Sequence, residues 1–202
     1  LFLSGSIRHD VNELFDNATT FRATAAYLVQ STGTRLHGSY GTGVKNPTLF
    51  ELYGFGRNFF PNPNLQPEQS RGFDIGIEQS LWDDRVLIDL TYFNSNITNL
   101  IDGSGPLAVN RPGTTRVQGI ELSASAEPMD GLHLSGQYTY TLSEGTDDAQ
   151  LVRRPRHTGS INAGYTFLDG KATVDLGVDY NGDQQDFQFS NFFASRSVVT
   201  LD

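Results

Sequence analysis

Apolar and polar residues alternate with period two along most of this chain, and that pattern restricts it to β-strands with unlike faces. From Leu132 to Leu142, the residues Leu132, Leu134, Gly136, Tyr138, Tyr140 and Leu142 share one face, whereas His133, Ser135, Gln137, Thr139 and Thr141 share the other. The stretch from Ala172 to Tyr180 repeats it, with Val174, Leu176 and Val178 set against Thr173, Asp175, Gly177 and Asp179. The same reading predicts strands over 73–81, 86–93, 117–126 and 161–167, and weaker ones over 20–29 and 35–40. With alternating stretches at both chain ends, this makes about ten strands, each near the length a tilted strand needs to cross a bilayer. Helical periodicity is hard to find, and no window approaches the ~18 apolar residues of a membrane helix.

Alternation alone does not separate a membrane barrel from a soluble sandwich, because both have one apolar and one polar face. The connections discriminate better. Long ones at 9–19, 41–70, 94–115, 143–157 and 181–193 alternate with short ones at 30–34, 82–85, 127–131 and 168–171. The short ones have turn chemistry, as in Trp82-Asp83-Asp84-Arg85 and Leu168-Asp169-Gly170-Lys171. In an up-and-down meander, this places every long loop on one side and every tight turn on the other, the pattern of an outer-membrane barrel. Tyr27, Tyr40, Tyr92, Tyr138, Tyr140 and Tyr180 fall on apolar faces, and Trp82 and Phe167 lie beside tight turns, as interfacial girdles require. The other face, with Asp74, Glu78, Asp89, Glu121, Asp175 and Asp179, suits a wet lumen or a polar plug and equally the exposed face of a sandwich.

Composition excludes several functions. With 14 Lys and Arg against 23 Asp and Glu, the net charge of −9 argues against nucleic acid as a partner. The absence of Cys removes disulfides, thiolate catalysis and zinc–thiolate sites. Gly38-Ser39-Tyr40-Gly41 lacks the spacing of a nucleophile elbow, and Gly41-Thr42-Gly43-Val44-Lys45 lacks that of a phosphate-binding loop. His9, His37, His133 and His157 form no ligand pair, so structural or solvated roles are expected for them and no metal site or cofactor is expected. The acidic run Glu144–Asp148 lacks the ligand order of a calcium-binding EF-hand loop and reads as a solvated external loop. The chain is not expected to be an enzyme.

Two segments resemble a known family. Gly38-Ser39-Tyr40-Gly41-Thr42-Gly43-Val44-Lys45-Asn46-Pro47-Thr48-Leu49-Phe50-Glu51-Leu52-Tyr53-Gly54 is similar to the stretch of TonB-dependent outer-membrane receptors that holds Gly-x-Phe-x-x-Pro-Thr-x-x-Glu-Leu. Asn62-Pro63-Asn64-Leu65-Gln66-Pro67-Glu68 is similar to the Asn-Pro-x-Leu-x-Pro-Glu that follows it. Thr91–Ile101, Gly119-Ile120-Glu121-Leu122 and Arg153-Arg154-Pro155-Arg156-His157 are spaced as in that family, and the resemblance covers residues 1–202. Val44 stands where Phe is common, and Asn46 where Ala is common. The branch it looks closest to is the cobalamin-receptor type. The resemblance implies an all-β, antiparallel up-and-down transmembrane barrel, here the incomplete C-terminal half of a plugged barrel of about 22 strands. It places the chain as an integral protein of the bacterial outer membrane. The family's plug, Ton box, earlier strands and final strands would then lie outside residues 1–202.

The implied function is energy-coupled uptake of a scarce nutrient such as cobalamin or a ferric siderophore, with the TonB complex acting through the missing plug region. A passive porin-type channel and a soluble β-sandwich binding module are the alternatives. Pro47, Pro61, Pro63 and Pro67 restrict the long loop, and buried aromatics at Phe50, Tyr53, Phe59 and Phe60 are expected to stiffen it. The ligand-contact candidates are Tyr53, Arg57, Phe59 and Phe60 in this loop and Phe187 and Phe189 in the last one. Arg153, Arg154 and Arg156 are candidates for lipopolysaccharide headgroup phosphates, which Arg suits; the alternative for them is pairing with Asp147 and Asp148 or a neighbouring loop.

Overall fold

The computed structural model describes residues 1–54, 59–102, 107–146, 149–187 and 193–201. Among them, in chain order, are β1 (Phe2–Asp10), β2 (Ala18–Val29), β3 (Thr34–Lys45), α1 (Leu49–Tyr53), β4 (Glu68–Leu81) and β5 (Val86–Thr98). The short β6 (Ile101–Asp102) and β7 (Val109–Asn110) follow, then β8 (Thr114–Met129), β9 (Leu132–Glu144), β10 (His157–Phe167), β11 (Ala172–Phe187) and β12 (Phe193–Leu201). β6 and β7 pair with each other, and the other ten strands form one antiparallel sheet in the order β1-β2-β3-β4-β5-β8-β9-β10-β11-β12. β1 and β12 are its outer strands, so the sheet does not close on itself within residues 1–202. A sandwich needs two sheets packed face to face over a shared core. Here ten of the described strands make one continuous meander and β6 and β7 are only a two-residue pair in a loop, which excludes the sandwich alternative.

Register is what separates the two faces. Tyr27, Leu36, Ile77, Leu90, Leu122, Tyr138, Gly159, Tyr180 and Val199 lie opposite one another from β2 to β12. One residue over, the row reads Leu28, Arg35, Glu78, Asp89, Ser123, Gln137, Ser160, Asp179 and Thr200. A one-residue slip at any strand would carry its polar set into the apolar row, so the pattern pins the register. Large apolar side chains of the first set are exposed, including Ile75, Ile161 and Leu176. An apolar face this continuous, with its large side chains exposed among the described residues, matches lipid and not water. On β4 it runs from Phe73 to Leu81, about 26 Å along the strand at ~3.3 Å per residue.

The strands outrun their apolar alternation, mainly at the long-loop end. β4 begins at Glu68 where period two predicts 73, β5 ends at Thr98 and not 93, and β11 reaches Phe187 and not 180. At the tight turns the predicted ends at Leu81, Val86, Phe167 and Ala172 coincide with the observed ones. The reason is physical: beyond the lipid boundary nothing demands apolar outward residues, while the backbone ladder continues to satisfy its own donors and acceptors. The outward positions there are polar and bond to one another, with Tyr92 Oη and Asn94 Nδ2 both donating to Gln118 Oε1 at 3.2 and 3.1 Å.

The tight turns are built from left-handed residues. Trp82, Asp83 and Asp84 have φ of 54°, 53° and 67°, and Leu168, Asp169 and Gly170 repeat this with 55°, 53° and 81°. Such turns match the twist of the flanking strands. Trp82 is 75% exposed, and Tyr165 stacks on Phe167 at 5.7 Å, so aromatics mark this end of the apolar band. At the other end, Tyr138 Oη lies 2.6 Å from His157 Nδ1, and the Tyr140 ring lies 5.1 Å from the imidazole. His157 therefore has a structural place in the outer aromatic row.

Candidate functional site: a loop cap above a polar wall

The connections between the ten sheet strands, not those strands themselves, hold the buried apolar side chains found among the described residues: Leu52, Leu65, Ile101 and Ala108. Phe15 from the β1–β2 loop and Phe59 pack against them, so three long loops converge on one small core. Leu52 is placed by α1. This helix begins with a capping box, in which Thr48 Oγ1 accepts from the Glu51 amide at 3.2 Å and Glu51 Oε2 accepts from the Thr48 amide at 2.6 Å. The Thr48-x-x-Glu51 signal is present in the sequence, but five residues are too few to show helical periodicity, and α1 is missed by that reading.

The loop's stiffness comes from a different source than expected. Phe50, Tyr53 and Phe60 are exposed, and only Phe59 turns inward, stacking on Phe50 at 4.7 Å. Leu65, 1% exposed, and Leu52 take the anchoring role. Both are motif residues, and aliphatic side chains fill a small core without leaving a polar edge or a large rim unburied. Tyr53 and Phe60 thus present their rings at the outer surface. Arg57 and Phe189 lie outside the described residues, as does the side chain of Phe187, whose backbone pairs with Phe193.

Polar links tie the loops of the cap to one another and, at Glu68, to the wall. Glu68, 9% exposed, accepts from Lys45 Nζ at 3.0 Å and from the Ile101 amide at 2.9 Å, both on Oε1. Asn110 accepts from the Gln66 amide at 2.8 Å and donates to the Gln66 carbonyl at 2.9 Å. Asn62 Nδ2 donates to the Ala108 carbonyl at 2.9 Å.

Below the cap, the inner face of β3 to β5 carries a connected polar strip. Arg35 grips Glu78 with two bonds, Nε to Oε1 at 2.8 Å and Nη2 to Oε2 at 2.7 Å. His37 Nε2 reaches 2.6 Å from Asp89 Oδ2, crossing over β4, and Thr91 Oγ1 donates to the other Asp89 oxygen at 2.7 Å. Gly76 makes that crossing feasible, since a Cβ there would stand 2.4 Å from Thr91 Oγ1 and 2.5 Å from the imidazole. Gly76→Val is expected to displace the ring and destabilise the intact protein by about 1–3 kcal/mol. The outward Gly136→Ala, with its nearest atom at 3.4 Å, should stay within about 0.5 kcal/mol; denaturant unfolding compares the two. Ser39 donates to Asp74 in the same strip.

Arg153, Arg154 and Arg156 are exposed on the β9–β10 loop. The Arg153 amide donates to the Gln185 carbonyl at 2.7 Å, Gln150 Nε2 to the Arg154 carbonyl at 2.9 Å and Arg156 Nε to Gln150 Oε1 at 3.1 Å. Asp147 and Asp148, the alternative partners, lie outside the described residues.

The family model for the TonB-dependent receptor-like β-barrel matches residues 1–202. The chain belongs to the TonB-dependent receptor β-barrel family. It is 27% identical to the metal-pseudopaline receptor CntO of Pseudomonas aeruginosa over 96% of its length. It is 31% identical to the vitamin B12 transporter BtuB of Photobacterium profundum over 90% of its length. In both cases it spans 30% of the relative. Among solved structures, the siderophore receptor PirA of Acinetobacter baumannii superposes with a TM-score of 0.78 at 16% identity, covering 96% of this chain and 35% of PirA. A variant of the ferric enterobactin receptor PfeA of Pseudomonas aeruginosa gives 0.76 at 18% identity, covering 98% of this chain and 34% of that one. This TonB-dependent barrel segment is therefore integral to the outer membrane, with its apolar face in lipid and its long loops outside.

Proposed function

We propose that residues 1–202 form one partial barrel domain of a receptor for energy-coupled uptake of a scarce nutrient, such as cobalamin or a metal–siderophore complex. The plug, Ton box and remaining strands would be supplied by the rest of that receptor, and the TonB complex would act through the plug. The segment contributes wall, girdles and external loops, and carries out no bond chemistry. Transport then depends on a difference in ligand affinity between plug states. The observation that carries this reading is the loop cap, whose three loops share one core and leave Phe50, Tyr53 and Phe60 exposed at the outer mouth. Tyr53, Phe60 and the neighbouring Arg57 would meet the ligand from one side, and Phe187 and Phe189 from the last loop.

Titration of the intact purified receptor with cobalamin, ferric enterobactin and metal-pseudopaline tests it. Saturable binding of one of these is expected, with a dissociation constant raised about tenfold by Tyr53→Ala with Phe60→Ala. Uptake should cease in cells lacking TonB. Uptake that persists there would support the passive channel instead.

Arg153, Arg154 and Arg156 would anchor phosphates of the outer leaflet's lipopolysaccharide, three exposed guanidinium groups on one external loop being the support. Replacing all three with Gln should lower the lipopolysaccharide that co-purifies with the receptor by about half or more, and an unchanged content would dismiss the role.

A further inference from the structure

Leu65 and Glu68 are both buried, at 1% and 9% exposure, beneath the loops that carry the exposed rings. Their surroundings come in two halves. The β3–β4 loop supplies Leu52 and Leu65, and the β5–β8 loop supplies Ile101 and Ala108, so neither loop has a core without the other. Loops of this length with no core of their own do not repay the entropy of ordering. The links between them are repeated: Gln66 with Asn110 in both directions, Asn62 with the Ala108 carbonyl, and a parallel bridge between Phe60 and Leu107. Glu68 sits where both loops meet the wall. Ile101 is buried, and the Glu68 carboxylate accepts its amide while also holding Lys45 of β3.

We infer that Glu68 is a positioning residue whose carboxylate fixes the β5–β8 loop to the adjoining ends of β3 and β4, so that it and the β3–β4 loop springing from those ends form one preorganised body at the receptor's outer mouth. The consequence for ligand capture rests on the proposed function, whereas the coupling itself does not. A body ordered in advance avoids the loss of apparent affinity that follows when the competent state is only partly populated.

Hydrogen exchange on the intact, ligand-free receptor tests the coupling. Amides in residues 49–54 and 60–66 should open together with those in 100–102 and 107–111. Glu68→Leu should speed both groups about tenfold or more while the β2–β5 ladder keeps its protection. Glu68→Gln, whose amide oxygen still accepts from Ile101, should stay within about threefold of the unaltered receptor. Asn110→Ala, which removes a separate link, should speed both groups about threefold. In transport, Glu68→Leu should raise the KM about fivefold with Vmax held, for whichever of cobalamin, ferric enterobactin and metal-pseudopaline the receptor binds. Unrelated opening of the two groups, or acceleration of only one in Glu68→Leu, would overturn the coupling. A fall in Vmax at constant KM would overturn the positioning role. A receptor that binds none of the three ligands would fail the proposed function, and the exchange measurements would still decide the coupling.

Discussion

Leu90→Arg in the intact receptor is expected to cost about 2–4 kcal/mol of folding stability in a lipid bilayer. Leu90 lies in the row that runs from Tyr27 through Leu36, Ile77, Leu122 and Tyr138, between the aromatics at the two ends of the apolar band. A guanidinium there has no water and no described partner across either neighbouring strand, where Ile77 and Leu122 stand opposite. Ser123→Arg is the control. It occupies the adjacent inner row opposite Asp89 and Gln137, where a cation finds both charge and hydration, and its expected cost is below about 1 kcal/mol. Reversible guanidinium unfolding in phospholipid vesicles measures both. The opposite ranking would mean that the faces are assigned the wrong way round.

Leu65→Ala is the second large effect, and its location is the informative part. Removing a fully buried leucine costs about 2–5 kcal/mol where the site cannot collapse. Here the cost should fall mainly on the cap, because the side chains that pack this core come from the long loops. Local opening of the β3–β4 and β5–β8 loops should therefore become on the order of 10²-fold more frequent, at ~1.4 kcal/mol per factor of ten. Limited proteolysis within residues 46–67 and 99–113 reads this directly, while the thermal unfolding of the barrel should be unchanged. A global loss of barrel stability would show that the cap and the wall fold as one unit.

Local opening matters for the proposed function because Tyr53 and Phe60 adjoin Leu52 and Phe59, which pack in or against this core. A ligand captured by mobile rings must order them on binding, which lowers its affinity. The wall makes a different contribution. Its inner strip of Arg35, Glu78, His37 and Asp89 is satisfied internally, so β3 to β5 present a fixed polar surface and not a set of free charges.

Much of this was legible in the residues themselves. Alternation from Leu132 to Leu142 identifies a two-faced strand, and the alternation of long and short connections orients the meander, because both follow from local geometry. The tight-turn boundaries at Leu81 and Val86 were also legible, since there the apolar band ends where the strand does. The outer boundaries were not. Asn94, Ser95 and Asn96 look like loop residues in sequence, and they remain in β5 only because β4 and β8 pair with them. Exposed aromatics were expected to be the buried ones for a related reason. Phe50, Tyr53, Leu52 and Leu65 are all apolar, and which of them turns inward depends on Ile101 and Ala108, about 40 residues along the chain.

The period of two and the alternation of long and short connections by themselves determined a two-faced meander, because both depend only on residue type and spacing. The tertiary structure alone decided that this wall is one continuous sheet, that Gly76 lets His37 reach Asp89, and that Glu68 holds both Lys45 and the Ile101 amide. Those facts rest on contacts between residues far apart in the chain, and pairing across strands is what brings them within hydrogen-bonding distance.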